Sequence, residues 1–320
     1  MKLKKRIIIP FAFFLLIAFS YFLSIVSKPV INDKIRRSAP DKFIELSRGF
    51  VQYDLKGNKN GEVVVLVSGL SVPYYCWDFL FKDLIDRGYY VLRYNHFGRG
   101  FSDRPCLKYD ENLFDNQLLE LLKKLEIEPP ISIIGLSLGG GVAAVFSERH
   151  PELVKKICLI APVGFPMKEE FLARLVKLPL LGDYFMAVAG NMIMDSRCSN
   201  NLNNPEEFPE FMEQFKTQLK YRNFSSSILS TLRNMPIYNL ESCYKKIERL
   251  GIPLVLIWGK EDKVLPVRNS EFLLSSIPDA EFHVIKNAGH NVQYESSDIV
   301  NPIILNFLSS QNQGGRTNTK

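Results

Sequence analysis

The sequence predicts an α/β fold: a mostly parallel central sheet with helices on both faces. Short runs of β-branched and aliphatic residues recur along the chain, stretches of helical periodicity separate them, and a Gly-x-Ser-x-Gly turn joins one run to a helix. Runs that are apolar at every position need cover on both faces, and parallel neighbours need a crossover long enough to hold a helix. With 320 residues, 46% of them hydrophobic, the chain suffices for one large core plus an insertion.

The first segment stands apart from that pattern. Lys2, Lys4, Lys5 and Arg6 precede an almost unbroken apolar run over residues 7–26. At ~1.5 Å per residue, a helix of that length matches the hydrocarbon thickness of a bilayer. A cleaved leader would end in a small-x-small site, and residues 21–27 hold none of the A-x-A type. Residues 1–27 are therefore expected to be an uncleaved, single-pass N-terminal transmembrane helix with a basic flank. Lys28, Lys34, Arg36 and Arg37 follow the run, so positive charge on both sides leaves its orientation open. The first 37 residues carry a net +7 of the chain's +6, which leaves the folded body at −1. Basicity here is a membrane-flank feature and implies no nucleic-acid partner.

From residue 41 the elements follow in order. Residues 42–46 and 50–55 alternate about Ser47-Arg-Gly49 and read as a hairpin, and Lys56-Gly-Asn-Lys-Asn-Gly61 is a turn. Buried strands are predicted at residues 63–67, 89–94, 131–134 and 156–160, with helices over 73–87, 113–125 and after Ser137. These belong to the first part of the core, residues 41–162. Between 163 and 250 there is no convincing strand, only helix-like pieces at 169–178, 210–221 and 225–232, broken by prolines. That segment reads as a helical cap insertion. Its apolar runs, Phe185 and Met186 among them, either pack the cap onto the body or line an acyl pocket. The core resumes over residues 251–310 with strands at 253–258 and 282–285 and helices near 268–275 and 298–309, and the polar tail 311–320 is expected to be disordered.

The chemistry centres on Gly135-Leu-Ser-Leu-Gly139. A strand, a sharp turn and a helix in that order form a nucleophile elbow, in which Ser137 sits in a strained turn with its hydroxyl clear of the sheet. A serine hydroxyl is a weak nucleophile, so it needs a base in contact and a third group to orient the base. Residues at the carboxyl ends of strands are the candidates. Asp262 follows the strand at 253–258 and His290 the strand at 282–285; Glu261 is the spare acid beside Asp262. Of the other histidines, His96 is expected at the pocket rim, His150 at a helix end and His283 within a strand. Two backbone donors for an oxyanion are expected from Leu138 and Leu70, with Gly69 letting the loop come close. Five cysteines without C-x-x-C spacing and four separated histidines suggest neither a metal site nor a disulfide framework, and the triad chemistry requires no cofactor.

Taken together, Ser68-Gly-Leu70, Asn95-His-Phe-Gly-Arg-Gly-Phe-Ser102, Gly135-Leu-Ser-Leu-Gly139, Gly259-x-x-Asp262 and Gly289-His290 resemble the α/β-hydrolase superfamily over residues 42–309. Ser68 stands where relatives commonly have His, and Asn95 where they have Asp. The anchor and cap look most like the membrane-anchored monoacylglycerol-lipase and esterase branch. The resemblance implies a serine hydrolase acting on a small-molecule ester or lipid substrate at a membrane, and it fixes no oligomeric state. Alternatives within the fold are a C–C bond hydrolase, a proline-type aminopeptidase and a non-catalytic scaffold. Dehalogenases and epoxide hydrolases place an aspartate at the elbow, which Ser137 disfavours.

Overall fold

The computed structural model describes residues 15–24, 26–167 and 171–310. The basic flank and the first part of the apolar run, residues 1–14, lie outside the described residues, as does the tail 311–320. Residues 15–24 are helical, and among the described residues no helix is long and apolar enough to cross a membrane.

Eight strands form one sheet: β1 (Lys42–Leu46), β2 (Gly49–Gly57), β3 (Val63–Val67), β4 (Tyr90–Tyr94), β5 (Ile131–Leu136), β6 (Val154–Ile160), β7 (Leu254–Gly259) and β8 (Glu281–Ile285). Their spatial order is β1-β2-β4-β3-β5-β6-β7-β8. β1 and β2 form the expected hairpin and β2 pairs antiparallel with β4; every remaining pair is parallel. The interior strands β5 and β7 are buried at every residue, which is why, Ser132 on β5 apart, their sequences are apolar without alternation. The edge strand β8 keeps Glu281 and Val284 exposed. Apolar residues of the two faces form two clusters, one reaching to the helices Glu111–Lys124 and Leu138–Arg149, the other to Asp78–Asp86 and Ser297–Ser309.

Lys156 on β6 is buried, a position that a lysine rarely takes unless its ammonium is satisfied. Its Nζ donates to the carbonyls of Phe307, Leu308 and Ser310 at 2.7, 2.8 and 2.5 Å. A strand cation thus closes the carboxyl end of the last helix, where carbonyls lack partners and the dipole favours positive charge.

Between β6 and β7 the described residues contain helices and no strand. The helices at Phe171–Lys177, Pro209–Leu219 and Phe224–Asn234 answer to the expected pieces, while Leu181–Val188, Gly190–Cys198 and Glu241–Leu250 are additional. Glu241–Leu250 buries Tyr244 and Ile247 and packs against Leu138–Arg149 before Gly251, at φ 67°, ends it. Met186 is buried in the same apolar cluster as Phe215 and Phe224, whereas its neighbour Phe185 is 46% exposed. The two side chains therefore do different things.

Candidate active site

Ser137 follows β5 directly and precedes the helix Leu138–Arg149. Its backbone lies at φ 55° and ψ −115°, a region L residues avoid. Three hydrogen bonds hold it there: its N–H donates to Ile160 O at 2.8 Å, and its carbonyl accepts from Gly141 N at 3.2 Å and Val163 N at 3.1 Å. The flanking glycines are sterically required. A Cβ on Gly135 would stand 2.4 Å from Gly139 O, and one on Gly139 would stand 2.1 Å from Val67 O.

Asp262 and His290 meet in the loops after β7 and β8. His290 Nδ1 and Asp262 Oδ2 are 2.7 Å apart, and both side chains are almost fully buried. Asp262 Oδ1 accepts from the N–H groups of Val264 and Leu265, each at 2.8 Å. With its other oxygen anchored, the carboxylate has one orientation, and it faces the imidazole. An acceptor opposite Nδ1 fixes the proton there and leaves Nε2 as the basic nitrogen. Glu261 is turned to a different task, accepting from Ala288 N at 3.1 Å while its own N–H donates to Ala288 O at 3.0 Å. Among the described hydrogen bonds none joins Ser137 Oγ to His290. The structure thus brings Asp262 and His290 together and sets Ser137 on the same carboxyl edge of the sheet, without a closed serine–histidine bond. Such contacts often tighten only with substrate in place.

The loop after β3 passes beside the serine: a Cβ built on Gly69 would lie 3.5 Å from Ser137 Cβ. That is ordinary contact, so the approach is real but does not require glycine, contrary to the expectation for Gly69. The N–H groups of Leu70 and Leu138 enter no described hydrogen bond, which leaves both available as donors.

Three distant side chains pin the carbonyls of this loop. His96 Nε2 donates to Ser68 O at 3.0 Å, Arg99 Nε to Leu70 O at 2.8 Å and Gln218 Nε2 to Ser71 O at 2.6 Å. His96 is not at a pocket rim. It is buried with its ring against Tyr94 and Phe114, and burial, followed by the charge of Arg99, pushes it down to about 3, so that it stays neutral. Arg99 is 1% exposed and reaches further, to Phe97 O at 3.2 Å and Thr231 Oγ1 at 2.8 Å. It thereby ties Leu70 to the inserted helix Phe224–Asn234. Asn95 shows why an amide suits a position that is often Asp: Oδ1 accepts from Tyr74 N at 2.9 Å while Nδ2 donates to Gln52 Oε1 at 2.7 Å.

Glu295 was not singled out from the sequence. It accepts from Gly289 N at 2.6 Å through one oxygen and from Asn203 N and Asn204 N at 2.5 and 3.0 Å through the other. The loop that carries His290 is thus clipped to the insertion. His150 ends the helix Leu138–Arg149 and pairs with Asp115 at 3.2 Å, and His283 lies in β8, as expected.

Known proteins share this arrangement of chain. A hydrolase of Pseudomonas sp, named for 2-hydroxy-6-oxononadienedioate and 2-hydroxy-6-oxononatrienedioate, is 26% identical over 299 residues, covering 86% of this chain and 99% of that protein. A monoacylglycerol lipase of Homo sapiens is 27% identical over 214 residues, 61% of this chain and 59% of that one. The crystal structure of an enol-lactonase from Burkholderia xenovorans LB400 superposes with a TM-score of 0.73 at 18% identity, covering 84% of this chain and all of that one, a likeness of fold. The alpha/beta hydrolase fold family matches residues 62–297, and the chain belongs to it.

Proposed function

We propose that this protein is a serine hydrolase that cleaves carboxylic esters, with monoacylglycerols or similar lipid-like esters as substrates, and that residues 1–27 anchor it to a membrane as a single N-terminal span. The observation that carries the catalytic reading is the buried 2.7 Å pair of His290 and Asp262 on the same sheet edge as a serine held at φ 55°. Ser137 Oγ attacks the acyl carbon while His290 Nε2 takes its proton. Asp262 keeps the imidazole in the required tautomer and offsets the charge it gains. The N–H groups of Leu70 and Leu138 receive the oxyanion. His290 then protonates the departing alcohol, and water releases the acyl group by the same route.

The insertion, read as a cap over residues 163–250, supports a lipid-like substrate. Exposed Leu180, Leu181, Phe185 and Val188 are borne on or beside its helix Leu181–Val188, and Tyr184 of that helix lies 3.1 Å from Ser20 Oγ in the helical stretch 15–24. An apolar cap surface next to the proposed anchor suits a substrate drawn from a bilayer. The C–C bond hydrolase is the second reading, favoured by a relative of that kind that matches over 99% of its length.

The test is hydrolysis by the detergent-solubilised full chain of p-nitrophenyl esters from short to long, of monoacylglycerols and of a ring-cleavage dienoate. Ser137-dependent activity that rises with acyl length is expected. Turnover of the dienoate alone would establish the second reading instead.

Within this mechanism Arg99 is a positioning residue. Arg99→Met removes the bond to Leu70 O and frees the loop that presents one oxyanion donor. A fall in kcat of roughly 10–100-fold with little change in KM is expected, because one misplaced donor costs about that much. Arg99→Lys should recover part of the loss. If kcat and KM both stay at wild-type values in the methionine variant, Arg99 has no part in positioning the loop.

A further inference from the structure

Residues after the helical stretch lie against the body and, together with it and the insertion, line an open cavity of about 280 Å³. Four arginines line it, Arg36, Arg48, Arg104 and Arg222, and the one acidic residue among the lining is Asp103. Asp103 is already engaged by Arg36 Nη2 at 3.2 Å and by Phe50 N at 2.8 Å. The other three arginines have no carboxylate in the wall.

Their hydrogen bonds show what remains unused. Arg104 is fixed by four bonds to the carbonyls of Tyr221, Arg222, Gly100 and Gln218, and its Nε is buried without a partner. Burial pulls this guanidinium down to about 9, as expected of a cation that lacks a counter-charge. Arg222 spends Nε on Lys28 O at 3.3 Å, and both of its Nη atoms enter no described hydrogen bond. Arg48 is exposed and has no described ion pair or hydrogen bond. The free Nη donors of Arg222 and the unpaired guanidinium of Arg48, beside the uncompensated charge of Arg104, match the tetrahedral oxyanion of a phosphate, which accepts several charge-assisted bonds at once. The volume equals that of roughly nine waters at ~30 Å³ each, enough for a phosphate with part of the group it esterifies.

A second observation sets the direction of approach. Arg222 and Asn223 also line a smaller neighbouring cavity, whose other walls include Ser24 from the helical stretch, Lys28, and Met186 and Ala187 from the insertion. The basic cavity therefore lies next to one walled in part by the helical stretch, on which Phe19 and Phe22 are exposed. We infer that the cavity is a binding site for a phosphate monoester or diester group, separate from the candidate catalytic residues. It stands on geometry that the ester-hydrolase reading does not use.

The experiment takes the full chain in a phosphate-free maltoside detergent. Isothermal titration is run with inorganic phosphate, with glycerol 1-phosphate, and with mixed micelles of phosphatidylglycerol in the same detergent, against neutral diacylglycerol micelles. Saturable binding of phosphate compounds is expected, with the dissociation constant raised about tenfold in Arg48→Gln and further in Arg48→Gln/Arg222→Gln. Binding of the lipid micelles alone assigns the site to a headgroup, and binding of the soluble compounds assigns it to a free phosphorylated ligand. Both outcomes support the proposal. Arg48 makes no described contact, so its substitution leaves the fold in place and guards against a loss that reflects unfolding. No binding, or binding unchanged in both variants, would overturn the inference, whatever the esterase assays show.

Discussion

Ser137→Gly is expected to lower ester turnover about 10⁶-fold and to make the protein more stable by about 1 kcal/mol. The two effects share one cause. At φ 55° and ψ −115° the Cβ of Ser137 is in a region glycine visits freely and other residues enter at a cost on the order of 1–3 kcal/mol. Glycine removes that cost and loses ~0.5–1 kcal/mol of it again through the freedom of the unfolded chain. The surroundings explain how the strain is sustained: the N–H and carbonyl of Ser137 are held by Ile160, Gly141 and Val163, and the following helix is buried from Leu138 to Ser147. Ser137→Ala is the matching control, because it removes the hydroxyl and keeps the Cβ. It should be equally inactive yet close to wild type in its urea midpoint. Activity within about a hundredfold of wild type in either variant would remove Ser137 from the role of nucleophile, and a glycine variant less stable than the alanine one would mean that the elbow stores no strain.

That elbow was legible because its requirements are local. Gly135 and Gly139 are set by contacts within a few residues of the turn or with the adjoining strand β3, and β3, β5 and β7 are apolar, Ser132 on β5 apart, because both faces are covered. Asp262 and His290 could be selected because strand ends in a parallel sheet gather at one edge. The supports around them were not legible. Arg99 meets Thr231, Gln218 meets Ser71 and Glu295 meets Asn203 across 132, 147 and 92 positions, and such pairs leave no periodic trace. Its place after a strand end predicts His96 at the rim. In the structure, the aromatic rings of Tyr94 and Phe114 enclose it instead. The helices Leu181–Val188 and Gly190–Cys198 abut with only Ala189 between them, and their short lengths owe more to packing than to intrinsic propensity.

Asp262→Asn is expected to lower kcat about 10⁴-fold. In the wild type one oxygen is held by Val264 N and Leu265 N and the other faces His290 Nδ1 at 2.7 Å. An asparagine keeps its carbonyl on the two N–H groups, because its amide nitrogen cannot accept from them. That choice turns the NH₂ toward His290, and Nδ1 must then be the acceptor. The ring proton moves to Nε2, the nitrogen that has to take the proton of Ser137. The base is thus disabled by its tautomer with the side chains still in place, so the fold should be retained and substrate binding little affected. Glu261 cannot substitute, since its carboxylate is committed to Ala288 N and its N–H to Ala288 O. Glu261→Gln keeps an oxygen for Ala288 N and should leave kcat near the wild-type value. Steady-state kinetics on one short ester separate the cases. Should Glu261→Gln prove as damaging as Asp262→Asn, the orienting acid is not the one that the 2.7 Å contact selects.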